Sequence, residues 1–170
     1  MVTPYPLNPA VLKRGIEHVC YEYANLISAA YWSINGEAPW RTNVDDAFLL
    51  GYRKLRDFLF KAKRSERKGL ELPDILASDY LPRGFAPTWT LPTWESEWQT
   101  EIDKQLAHIT FERDKEWNHE KWAPPLELEM RTAWADFLAV VEAQHKPEFA
   151  AQLAHCQGKP GFRALRLWSC

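Results

Sequence analysis

Seven glycines scattered through 170 residues cannot build the glycine-rich turn that cradles a dinucleotide or a nucleotide phosphate. Cysteine is scarce as well. Cys20, Cys156 and Cys170 are odd in number and stand at no metal-binding spacing, so reduced thiols and a cytoplasmic setting are expected. No apolar run approaches the roughly 20 residues of a membrane span, and the first residues carry no secretory hydrophobic block. A soluble chain without a membrane partner is the expectation. Formal net charge is only −2, which leaves no global basic field for nucleic acid, although local patches stay open. Paired Cys-x-x-Cys, His-Glu-x-x-His and the nucleophile elbow are absent too, and no cofactor is expected.

Aromatic residues are plentiful, at 14% of the chain with nine tryptophans. Tryptophan buries much area and keeps one N–H for a wet edge, so packing between helices accounts for most of these rings. A stacking platform for bases is the other use of such residues. A chain of this length is expected to be one domain, 1–170, burying about 70% of its unfolded surface.

Apolar residues recur at helical spacing in four long segments, and no period-two alternation is sustained. Asn8 reads as an N-cap with Pro9 at the first helical position. Leu12, Ile16, Val19, Tyr23, Leu26, Ile27 and Ala30 follow, and Asn35-Gly36 supplies a turn. A second helix is expected from Asn43, with Asp45 and Asp46 against its positive end. Its buried face is Phe48, Tyr52, Leu55 and Phe58 or Leu59, and Lys61, Lys63, Arg64, Arg67 and Lys68 close it before Gly69. A short turn over Pro73–Tyr80 leads to a loop, 82–93, containing prolines and Trp89. The third helix spans Trp94 to Trp122, with Trp94, Trp98, Ile102, Leu106 and Ile109 on one face and Glu101, Lys104, His108 and Glu112 on another. Pro124-Pro125 separates it from a fourth, carried by Leu126, Met130, Ala133, Trp134, Phe137, Leu138 and Val141. A shorter fifth helix runs from Pro147 to about Cys156, and residues 162–170 form an arm. The fold class is therefore all-α, an antiparallel bundle of four main helices with a shorter fifth and a C-terminal arm.

Arg113, Asp114 and His119 form the string R-D-x-x-x-x-H. It resembles the Arg-(four to six)-His motif of the HEPN superfamily, compact helical bundles that are often dimeric ribonucleases. In that family the Arg and His meet in a cleft between two protomers, and a polar residue follows the Arg. The resemblance implies a homodimer that binds RNA or acts on it, without a metal. It also implies catalytic roles for Arg113, Asp114 and His119. The chemistry is sound: a His moves the ribose 2′-hydroxyl proton while an Arg steadies the phosphorane charge. The competing expectation is a non-catalytic module whose tryptophan-rich loop and apolar helix edges bind a protein partner.

The order of YRKLRDFLF, ILASDYLP and EIDKQLAHITFER is similar to that in uncharacterised bacterial helical proteins. This second resemblance singles out Arg56, Asp57, Asp79, Tyr80, Lys104, His108 and Arg113 as one polar cluster available for binding. His108 borders the apolar stripe and is expected to bridge to Asp57 or Tyr80. Arg56 paired with a carboxylate across helices serves equally to fix bundle register. Glu116-x-x-His119 and Glu142-x-x-His145 repeat the ligand pair of di-iron bundles. Glu17 and Glu22 are available on the first helix, but the second offers only Asp45, Asp46 and Asp57. No metal is expected.

Overall fold

The computed structural model describes residues 8–35, 41–61, 74–85, 87, 89 and 119–159. Residues 94–118 of the expected third helix, Trp94 to Trp122, and the arm over 162–170 lie outside the described residues, as do Lys104, His108, Arg113 and Asp114. Within the described residues the protein is all-α, an assembly of four helices and one 3-10 turn.

The first helix, α1, spans Pro9–Asn35. Its start follows from the Asn8-Pro9 pair: Asn8 Oδ1 accepts the Ala10 amide at 2.8 Å, and the Asn8 carbonyl accepts the Val11 amide, also at 2.8 Å. Pro9 loses nothing at that position, because its missing N–H has no partner in a first turn. The second helix, α2, covers Arg41–Phe60. It begins two residues earlier than the pattern suggests, which carries Asp45 and Asp46 beyond the first turn. Asp45 is instead buried and accepts a hydrogen bond from Ser33 of α1.

Contacts between these helices give their sense. Ascending α1, Glu22 meets Lys54, Leu26 meets Gly51 and Ser33 meets Asp45, so the partners descend α2 and the pair is antiparallel. After α2, Lys61 pairs with Asp74 at 3.1 Å. The expected turn over Pro73–Tyr80 is shorter than read from sequence, a 3-10 turn at Ala77–Tyr80. Asp79 sets its start by accepting the Leu76 amide at 2.8 Å. The chain then turns at Pro82–Phe85, where the Phe85 amide reaches the Pro82 carbonyl and Gly84 takes φ 82°. That positive φ at the third position is what a type II turn requires of a glycine.

The third helix, α3, spans His119–Val140 and runs straight through Pro124 and Pro125. The expectation that the two prolines end one helix and begin another is thus corrected. Each lacks an amide, so the carbonyls of Glu120 and Lys121 receive no intrahelical bond from them. Both prolines are exposed, while Ala123 just before them and Leu126, Met130, Ala133, Trp134 and Phe137 after them are all buried. Packing of that stripe outweighs the two lost bonds. A turn at 141–145 leads to α4, Lys146–Gly158, with Pro147 in its first turn. Along α4, Glu148 meets Lys13, Phe149 meets Cys20, and Cys156 packs with Ala24. These partners ascend α1, so α4 runs parallel to it.

One continuous core joins all four helices. Its centre is aromatic, with Phe58, Tyr80, Trp89, Trp134 and Phe149 placed around Phe137. Trp89 is buried and donates its indole N–H to the Leu59 carbonyl at 3.0 Å.

Candidate functional site

Of the polar cluster drawn from sequence, the described members divide between scaffold and surface. Tyr80 is fully buried, and its hydroxyl donates to the Leu12 carbonyl at 2.8 Å. Burial pushes its phenol well above the usual range, with Asp79 and Cys20 adding to the effect. Asp79 is held by the Leu76 amide. Asp79 closes the start of the turn over 77–80, and Tyr80 ties that turn to α1 and offers no hydroxyl at the surface. Arg56 is buried on α2, while its neighbour Asp57 is half exposed; their side chains approach only to 3.4 Å. A contact that long, with one partner in water, contributes little. The bridge expected from His108 to Asp57 or Tyr80, together with Lys104, lies outside the described residues.

The motif residues fare similarly. His119 is the first residue of α3, one turn before the buried Ala123, while Arg113 and Asp114 fall outside the described part. Of the metal pattern, Glu142 and His145 sit in the turn before α4, where Gln144 donates to Glu142 and the Glu142 amide reaches the Tyr80 carbonyl. Among the described residues no three His, Cys, Asp or Glu side chains gather as a metal site.

A different constellation stands between α1 and α3. Glu127 is 4% exposed, yet it sits in the apolar stripe of α3 with Trp134 two turns on. Arg131, one turn along, brings its Nε to 3.3 Å from Glu127 Oε1, close enough for an ion pair but out of alignment for a hydrogen bond. The same guanidinium lies beside the hydroxyl of Tyr23 on α1 and favours its ionised form. The Tyr23 ring lies flat on Trp134, with centroids 4.6 Å apart and planes 13° apart. The Trp134 indole N–H is buried, with no acceptor among the described residues. Burial pushes the Glu127 carboxyl above its ordinary value, and Arg131 opposes that only in part. Burial raises the Tyr23 phenol as well, again with Arg131 pulling the other way.

This arrangement can hold a proton on a carboxyl beside a cation, and it pins α3 against α1. The sequence does carry a signal for it: a Glu placed on the core stripe with an Arg four residues later. That signal is weak, because such pairs usually lie on a solvated helix face. Cys20 and Cys156 are free and buried nearby on α1 and α4. Burial pushes the Cys20 thiol up to about 12, so it stays protonated and unreactive at neutral pH.

The sign of the Glu127 effect is testable. A carboxyl whose folded pKa is raised binds its proton more tightly in the native state, so its contribution is fully present below about 4.5, its ordinary value. That contribution is lost as pH rises through the folded value. Glu127→Gln is therefore expected to melt near the wild type at pH 4 and above it at pH 7. Thermal melts of both proteins across that range check this. A variant that is less stable at pH 7 would mean that the Arg131 ion pair outweighs burial.

Compared with protein-family models, curated proteins and solved structures, the chain matches none.

Proposed function

We propose that this chain is a HEPN-like helical bundle that binds RNA or cleaves it without a metal, working as a homodimer through Arg113, Asp114 and His119. The observation that supports this reading is the mounting of His119. It opens a helix whose next two turns, at Ala123 and Leu126, are locked in the core. A group that must meet a phosphate within tenths of an ångström benefits from a rigid element beneath it. The second role assigned to the cluster, binding through Lys104, His108, Arg56 and Asp57, is available only to those members whose side chains reach solvent. Tyr80 serves the fold.

The test is an RNA-cleavage assay on purified protein, paired with the melting temperature of each variant. His119→Ala is expected to lower cleavage by at least 100-fold, on the scale typical of general acid–base groups, while melting within a degree or two of the wild type. Cleavage that persists in His119→Ala, or that is absent from the wild type together with any RNA binding, sinks the proposal.

One observation favours the other reading, a non-catalytic interaction module. Trp32, Leu50 and Leu128 each expose close to half or more of their surface, on α1, α2 and α3 respectively. Apolar side chains of that size at the surface are the raw material of a protein interface. Loss of a partner on Trp32→Ser, with RNA cleavage absent throughout, would decide for that module. Among the described residues no helix is long and apolar enough to cross a membrane.

A further inference from the structure

We draw no further inference here: the strongest candidate, the partly buried Glu127–Arg131–Tyr23–Trp134 cluster between α1 and α3, belongs to the site already described, and no second observation shows what it would bind.

Discussion

Phe137→Ala is expected to cost about 3–5 kcal/mol, the largest loss of any single truncation proposed for this protein. The expectation comes from position. Phe137 is fully buried on α3, and five aromatic rings surround it: Phe58 at 5.3 Å, Phe149 at 5.4 Å, Trp134 at 5.6 Å, Trp89 at 6.1 Å and Tyr80 at 6.5 Å. Those rings come from α2, α4, α3 itself, the loop at 89 and the turn over 77–80. No single element can relax into the space without dragging another, so the cavity stays open. Most contacts are edge-to-face, which adds roughly 0.5–1.5 kcal/mol per pair beyond area alone. Set against a total stability of about 5–15 kcal/mol, such a loss leaves the variant marginal. Leu128→Ala on the same helix is the control: at 63% exposure it should change stability by no more than ~0.5 kcal/mol. Urea titrations of the three proteins give both numbers. A Phe137→Ala cost below about 1.5 kcal/mol would show that the aromatic centre repacks, against the reasoning of a rigid core.

The helical pattern made most of this core legible beforehand. Leu126, Met130, Ala133, Trp134, Phe137 and Val141 recur at three- and four-residue steps and are buried, and Leu138 of the same stripe is half-buried. Asn8-Pro9 announced α1 through capping chemistry that depends on neighbours only. What failed were features settled by tertiary contact. Pro124-Pro125 reads locally as a break, yet burial of the stripe behind it keeps α3 continuous. Asp45 reads as a residue complementing a helix dipole, yet Ser33 of α1 claims it. Glu127 draws no attention in the sequence, because one residue cannot reveal that its face is the one covered by Tyr23 and Trp134. Tyr80 shows the same limit from the other side. A tyrosine beside an aspartate looks available for binding, and only the packing of α1 reveals that its hydroxyl is already committed to the Leu12 carbonyl.

That commitment makes Gly15→Ala the second large effect, and its direction opposes intuition. Within a helix, alanine is favoured over glycine by about 1 kcal/mol, so the substitution would ordinarily stabilise α1. At Gly15, however, an added Cβ would collide with the Tyr80 hydroxyl oxygen and come within 2.7 Å of Ile75 Cδ1. Ile75 can give, since its methyl is the end of a half-buried side chain. Tyr80 cannot, because its ring is wedged among Phe58, Phe137, His145 and Phe149 and its hydroxyl is bonded to Leu12. Overpacking of this kind costs about 1–3 kcal/mol and should outweigh the propensity gain. A double-mutant cycle separates the collision from any general intolerance of α1. Tyr80→Phe alone should cost about 1 kcal/mol for its hydrogen bond. In the Tyr80→Phe background the added methyl meets no hydroxyl, so Gly15→Ala should cost much less there, or even stabilise. The expected coupling is on the order of 1 kcal/mol or more in the favourable direction, read from the difference in urea midpoints at constant slope. Strict additivity, or a stabilised Gly15→Ala single variant, would mean that Tyr80 does not press on α1 at Gly15.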